Sequence, residues 1–182
     1  NYDAALVKRD FKDKHDLRTI FPFAPAVWQF AVAKDANIKT LKDLGGKKWT
    51  PGPAGGGSTH ITMQIMEMFE IKPVNHHGTL GDAAEAYSDR QIVGFTYRGT
   101  GGEPTSAMVE ANASRPVLFL SLTDEEIAKI NQRWPDLNKF VVRAKLYPGQ
   151  NESFATIATL AGNAIAAHKD MPPEAVYTVV KS

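Results

Sequence analysis

The sequence contains no cysteine, which excludes disulfide bonds and thiolate metal sites. It also lacks any apolar run near the roughly 20 residues that a membrane-spanning helix needs. Neither charge sign dominates, because 21 basic and 20 acidic residues leave a formal net charge of +1. The lysines and arginines are scattered, so the sequence disfavours a nucleic-acid-binding surface. A composition of 43% hydrophobic and 23% charged residues over 182 positions is typical of one folded domain or two small lobes.

Several motifs of cofactor and catalytic sites are also missing. The segment "GPAGGGST" at residues 52–59 has neither the Gly-Lys-Ser/Thr ending of a Walker loop nor the spacing of the dinucleotide fingerprint. Ser58 does not stand in a G-x-S-x-G elbow. His76 and His77 are adjacent in a predicted strand and should point to opposite faces, and no carboxylate or third histidine has ligand spacing with either. We therefore predict no metal site, no cofactor and no catalytic residue.

The chain does contain an alternation of predicted strands and helices. Strands are predicted at residues 26–33, 48–50, 74–78, 92–97 and 117–122, and residues 154–169 are expected to form one or two more. Helices are predicted from residue 58 or 59, at residues 81–90 and 106–111, from Thr123 to before Pro135, and at residues 171–182. Parallel neighbours need crossover connections, so this order predicts an α/β fold with mostly parallel sheets and helices on both faces.

The glycine-rich loop precedes one of these helices, at a place where α/β sheets commonly bind ligands. A helix start has N–H groups without partners and a partial positive charge, so it attracts carboxylate, phosphate or sulfate. Gly55, Gly56 and Gly57 would let the backbone approach such an anion, and the hydroxyls of Ser58 and Thr59 would add hydrogen bonds. The alternative is a tight loop whose Ser or Thr only caps its own helix.

Four segments in order carry a family resemblance: "IKTLKDLGGKKWTPGPAGGGST", "GTLGDAAEAYSDRQIVGFTYRG", "LYPGQ" and "MPPEAVYTVVKS". Their succession resembles the TAXI family of solute receptors for TRAP (tripartite ATP-independent periplasmic) transporters, from about residue 21 to the end. The resemblance implies a type II periplasmic-binding-protein-like α/β fold, with two lobes of mostly parallel sheets joined by crossing hinge strands. It also implies an exported, periplasmic receptor that closes on a small organic anion, delivers it to TRAP transporter membrane subunits and performs no catalysis.

The same resemblance implies which residues face the ligand. The loop matches best at Gly57 and Ser58, where the family pattern has Gly-Thr. Core packing is an alternative explanation for Trp28, and turn chemistry is the alternative for the positions beyond residue 96. The implied ligand contacts are Gly55, Gly56, Gly57, Ser58, Thr59, Trp28, Gln29, Tyr97, Gly99, Tyr147 and Gln150.

Two departures from the family pattern affect the expected ligand. Val93 stands where the pattern often has Asp, and Arg98 stands where a small residue usually follows the strand, before an enlarged "GTGGEP" loop. Arg98 would add a cation to the cleft and grip a second acidic group, although it could instead be solvated and paired with Glu103. Glutamate, glutamine, a dicarboxylate or another small organic acid all fit this prediction.

The resemblance also sets the expected domain organisation. The opening part of the family pattern has no counterpart here, so the chain is expected to be N-terminally incomplete. Residues 1–33 would be the remainder of lobe 1 and the first hinge strand, residues 34–152 lobe 2, and residues 153–182 the return hinge strand and part of lobe 1. Two other classes stay open: an enzyme on the same two-lobed fold, which needs a titratable group in the cleft, and a ligand-sensing domain of a regulator.

Overall fold

The computed structural model describes residues 16–101 and 103–181, so residues 1–15 of the predicted first segment lie outside the described residues. Its strands are β1 Leu17–Ala33, β2 Lys48–Trp49, β3 Val74–Asn75, β4 Gly94–Thr100, β5 Val117–Phe119, β6 Leu137–Val142 and β7 Phe154–His168. Its α-helices are α1 Gly57–Met68, α2 Leu80–Ser88, α3 Ser106–Ser114, α4 Asp124–Arg133 and α5 Pro173–Lys181, and short 3-10 helices cover Lys34–Ala36 and Leu41–Leu44. The predicted α/β class is confirmed.

The long strand β1 organises the main sheet. One of its edges pairs with β4, from Ala26 opposite Thr100 to Val32 opposite Gly94. The other edge pairs first with β7 and then with β5, and β6 pairs with the far side of β7. All of these pairings are antiparallel.

The pairing corrects the prediction of mostly parallel sheets. Among the described residues, parallel pairing occurs only between β2 and β3 and at the bridge from Thr50 to Phe95. The strands β4 and β5 run in the same direction, since both are antiparallel to β1. They do not touch as parallel neighbours because β1 lies between them.

Most predicted elements form, with shifted ends. The first long helix begins at Gly57, and residues 154–168 form one continuous strand. The predicted capping box of α4 is confirmed, because the Thr123 N–H donates to Glu126 Oε2 at 2.8 Å and the Glu126 N–H donates to Thr123 Oγ1 at 3.1 Å. The predicted strand at residues 74–78 is shorter, Val74–Asn75. In the described part of the chain, no helix is both long and apolar enough to cross a membrane.

Two hydrophobic clusters cover the two faces of the sheet. Side chains of β1 alternate between them, so Trp28 and Phe30 join one cluster while Val27 and Ala31 join the other. The helix α1 packs on the first cluster through its buried stripe, which includes Ile65, and α2 packs on the second through Ala83, Ala86 and Tyr87. The two helices therefore lie on opposite faces of one sheet.

A buried arginine joins the end of β1 to α2 and β4. Arg115 donates from Nε and Nη2 to Asp35 Oδ1 at 3.0 and 2.7 Å, and from Nη1 to the carbonyls of Tyr87 and Ile92. Arg90 donates to the other carboxylate oxygen of Asp35 at 2.7 Å. Because a buried charge is costly unless it is paired, this cluster fixes the position from which β4 starts.

Candidate functional site

A cavity of about 300 Å³ lies where the chain leaves β2 and β4. Its wall is built from four short pieces of chain: residues 50–53, Ser58, residues 78–80 with Ala83, and residues 96–98. The first residues of α1 and of α2 both contribute, although the two helices lie on opposite faces of the sheet. The volume suits a small organic molecule.

The start of α1 at this cavity has no cap. Its N-cap residue is Gly56, no side chain of the described residues accepts a hydrogen bond there, and the first turn contains no acidic residue. The His60 N–H donates to the Gly56 carbonyl at 3.0 Å, whereas the N–H groups of Gly57, Ser58 and Thr59 have no acceptor among the described residues. These donors and the helix dipole favour an anion at Ser58.

The start of α2, in contrast to that of α1, is capped by side chains. The Thr79 N–H and hydroxyl donate to Asp82 Oδ2, each at 2.8 Å, and the Asp82 N–H donates to Thr79 Oγ1 at 3.2 Å. The hydrogen bond from the Thr79 backbone, and then that from its side chain, hold the pKa of Asp82 below its ordinary value. A carboxylate already neutralises this helix start, so an acidic ligand group is favoured at α1 and not at α2.

The glycine-rich loop is shaped by a position that the sequence reasoning passed over. Gly52 has φ +123°, and a Cβ there would lie 2.5 Å from Thr59 Oγ1, so only glycine fits. The Thr59 side chain is buried against this loop and its hydroxyl has no hydrogen-bond partner in the described part of the chain. Of the predicted loop contacts, Ser58 lines the cavity, Gly57 is buried at the helix start and Gly55 is exposed.

Arg98 reaches the cavity from β4. Its guanidinium carbon lies 5.1 Å from the centroid of the Trp28 ring, and Trp28 is the residue directly opposite Arg98 across the β1–β4 pairing. Trp28 is 1% exposed and is not part of the described cavity lining, whereas Arg98 is. Glu103 forms an ion pair with Arg143, at 3.7 Å.

Tyr97 also lines the cavity, and burial raises its pKa. Its ring lies over Gly99, since a Cβ at that glycine would be 2.6 Å from Tyr97 Cε1. The glycine predicted to face the ligand thus makes room for the tyrosine that lines the cavity.

Three further predicted contacts lie in hydrogen bonds of the protein itself. The Tyr147 hydroxyl donates to Gln29 Oε1 at 2.7 Å, and both side chains are buried. Gln150 closes the 147–150 turn, accepting from the Tyr147 N–H and donating to the carbonyls of Arg143 and Glu152. The Tyr147 ring also packs on Phe119, with centroids 4.5 Å apart. Their role as ligand contacts stays a prediction.

Sequence reasoning missed the contribution of residues 78–80 and of two threonines on the cavity wall. The signal for the former was present, since Thr79 and Asp82 have the spacing of a capping box directly after Gly78. Thr50 and Thr96 are buried, and their hydroxyls have no hydrogen-bond partner among the residues that the structure describes. Nothing local in the sequence marks these two.

One histidine contacts the glycine-rich loop at the edge of the site. His77 Nδ1 is 3.3 Å from the Gly52 carbonyl oxygen, which links the segment before α2 to the glycine-rich loop. Within residues 16–101 and 103–181, no three His, Cys, Asp or Glu side chains are grouped so that they could hold a metal ion.

Several solved structures are similar to this chain at low sequence identity. The periplasmic aliphatic sulphonate binding protein SsuA from Escherichia coli is 16% identical, with a TM-score of 0.46, and the match covers 87% of this chain and 44% of that one. A periplasmic binding protein of an ABC transporter from Brucella ovis, with glutathione bound, is 10% identical, with a TM-score of 0.46 and coverages of 88% and 46%. The effector binding domain of QuiR in complex with shikimate is 12% identical, with a TM-score of 0.46 and coverages of 92% and 65%.

The chain spans about half the length of the first two of these structures. A match to a protein family covers all of its residues, 1–182. The chain therefore belongs to the NMT1-like family.

Proposed function

We propose that this protein is an extracytoplasmic solute-binding receptor that holds a small organic anion at the start of α1. The observation that carries the proposal is an uncapped helix N-terminus opening onto a cavity of ligand size, beside an arginine. Membership of the NMT1-like family and the four TAXI-like segments are consistent with a receptor.

The proposed binding mode uses the donors at the start of α1. A ligand carboxylate would accept hydrogen bonds from backbone N–H groups at Gly57, Ser58 and Thr59, and from the Ser58 hydroxyl. Hydrogen bonds to a charged group contribute about 1.5–3 kcal/mol each, and the helix dipole adds about 0.3–1 kcal/mol. Arg98 would receive a second acidic or polar group of the ligand. Glutamate, glutamine and small dicarboxylates fit this arrangement.

We propose binding without chemistry. The ionisable side chains on the described cavity wall are Tyr97 and Arg98. Burial raises the pKa of Tyr97, and a guanidinium group has hydrogen-bond donors but no acceptor, so neither group suits a general base near neutral pH. An enzyme or a ligand-sensing domain on this fold is the alternative.

The proposal extends to lobes, location and partners. Residues 1–33 and 153–182 would supply hinge strands and part of lobe 1, and residues 34–152 would form lobe 2. In support, β1 and β7 pair along most of their length, and no residue of α5 is buried. By the motif resemblance, the receptor would act in the periplasm and deliver its ligand to TRAP transporter membrane subunits.

The first test is thermal unfolding against acidic amino acids, glutamine, dicarboxylates, neutral amino acids and phosphate. A ligand at 100 times its Kd stabilises the folded state by about 2.7 kcal/mol. We expect a selective shift with a carboxylate. The absence of a shift with any carboxylate would contradict the proposed ligand class.

A charge placed at Ser58 tests the site itself. In Ser58→Asp the new carboxylate interacts favourably with the helix dipole. We therefore expect the free energy of unfolding to stay the same or to rise by up to about 1 kcal/mol, and we expect anion binding to be lost. Ser58→Ala should weaken binding by about 1 kcal/mol or more. Gln132→Glu adds the same charge at an exposed site on α4 and should bind like the wild type. Wild-type affinity in Ser58→Asp would remove α1 from the site.

A further inference from the structure

The Trp28 ring forms a platform directly behind the Arg98 side chain. The two residues face each other across β1 and β4, and the guanidinium carbon lies 5.1 Å from the ring centroid. Trp28 is buried, whereas Arg98 is partly exposed and lines the cavity. Of this contacting pair, Arg98 belongs to the described cavity wall and the Trp28 ring does not.

The residue Trp28 is itself held in place by the fold. Its backbone carbonyl accepts a hydrogen bond from Thr156 Oγ1 at 2.5 Å, which links β1 to β7. Its side chain belongs to the cluster that contains Ile61 and Ile65 of α1. The same packed layer thus carries both the helix whose start lines the cavity and the ring that underlies Arg98.

We propose that Trp28 is a positioning residue: it holds the Arg98 guanidinium against the cavity wall and thereby sets how strongly the site prefers a ligand with a second negative charge. The inference rests on the proposed function for its second part only. Arginine loses considerable rotamer freedom when it is fixed, and an aromatic face offsets part of that loss through cation–π attraction. Trp28 acts through Arg98 and does not touch the ligand.

Fluorinated tryptophan placed only at position 28 tests the hold on Arg98 without opening a cavity. Each added fluorine weakens the negative face of the ring while nearly preserving its size. In ¹⁵N-labelled protein, the Arg98 Nε–H signal is identified by its loss in Arg98→Lys. Its exchange with water should accelerate by about 2- to 30-fold along the series, as expected for a cation–π contribution of about 0.5–2 kcal/mol.

The ligand part is tested with glutarate and its monoamide, which have similar size but differ by one negative charge. The ratio of their affinities should fall along the fluorine series by a similar factor, while the affinity for the monoamide changes little. The control is the same series at Trp134, which lies under Arg133 at 5.0 Å on α4, outside the cavity lining. Fluorination at Trp134 should leave the Arg98 Nε–H exchange rate unchanged. It should also leave the ratio of the affinities for glutarate and its monoamide unchanged.

The exchange rate tests whether Trp28 positions Arg98, and the affinity ratio tests whether this positioning sets the charge preference. An Arg98 Nε–H exchange rate that does not respond to fluorination overturns the positioning role, whatever the ligand results. A faster exchange with an unchanged glutarate-to-monoamide ratio overturns the role in charge preference. If wild-type protein binds no carboxylate in the panel, the proposed function fails, and the exchange measurement still decides whether Trp28 holds Arg98.

Discussion

The start of β4 offers a sharp test of the packing that positions the site. At Gly94 the backbone of β1 passes so close that a Cβ would meet the Ala31 carbonyl oxygen and would lie 2.9 Å from Val32 Cα. Both obstacles are backbone atoms in the centre of the sheet, so they cannot move aside by a rotamer change. In Gly94→Ala, β1 and β4 must therefore separate locally.

The expected loss of stability follows from the packing and the hydrogen bonds that this separation of β1 and β4 disturbs. Overpacking of a closely packed interior costs about 1–3 kcal/mol. Two backbone hydrogen bonds lie next to Gly94. The Ala33 N–H donates to the Val93 carbonyl at 2.8 Å, and the Thr50 N–H donates to the Gly94 carbonyl at 3.1 Å. Each contributes about 1 kcal/mol net. We expect Gly94→Ala to lower the free energy of unfolding by about 3 kcal/mol, or Tm by roughly 6–12 °C for a chain of this size.

Urea unfolding followed by circular dichroism measures this change, and Gly81→Ala is the matched control. Gly81 is the exposed second residue of α2, and its Cβ would meet only Thr79 Oγ1, at an ordinary 3.7 Å. Alanine there should leave stability unchanged or raise it by up to about 1 kcal/mol. A free energy of unfolding for Gly94→Ala within about 0.5 kcal/mol of the wild type, or an equal loss of stability in Gly81→Ala, would show that β1 and β4 are not closely packed at Gly94.

Two further predictions concern polar contacts. Tyr147→Phe removes the buried donor to Gln29 and should lower the free energy of unfolding by about 1–2 kcal/mol in urea titrations; an unchanged midpoint would mean that this hydrogen bond contributes nothing net. Asp35 has a pKa below its ordinary value of 3.8 because Arg115 and then Arg90 donate hydrogen bonds to it, so its stabilising effect is present above about pH 4 and is lost as pH falls through the folded-state pKa. Wild type and Asp35→Asn should therefore differ most in unfolding free energy near neutral pH and converge in acid, whereas a constant difference from pH 7 to 3 would contradict this assignment.

Helices could be predicted from the sequence because their signals are local. The apolar positions Ile61 and Ile65 are one turn apart, and Thr123 with Glu126 forms a capping box within one turn. Strand pairing depends on residues far apart in the chain, and no local signal indicates that β1 separates β4 from β5. The helices were therefore predictable, while the parallel pairing predicted for the strands was wrong because β1 runs opposite to its neighbours β4, β5 and β7.

The candidate site, too, could be predicted from the sequence only where its residues are close together in the chain. The glycines and Ser58 lie within a few residues of each other, so the sequence could indicate a helix start open to an anion. The partnership of Gln29 with Tyr147 joins residues 118 positions apart, and only the fold brings the two side chains together. Both had been predicted as ligand contacts because the resemblance matched each segment separately, without indicating that they bond to each other.

The contrast between the two helix starts at the cavity follows from packing around one residue. A capping side chain at Gly56 would begin with a Cβ 3.0 Å from Thr59 Oγ1 and 3.2 Å from the Pro53 carbonyl oxygen, closer than side chains normally pack. The tight turn thus disfavours the serine, threonine or aspartate that usually occupies this position. At α2, Thr79 and Asp82 meet no such obstacle and complete a capping box. The turn before α1 therefore leaves the first N–H donors of this helix without an acceptor among the described residues, as the proposed anion site requires.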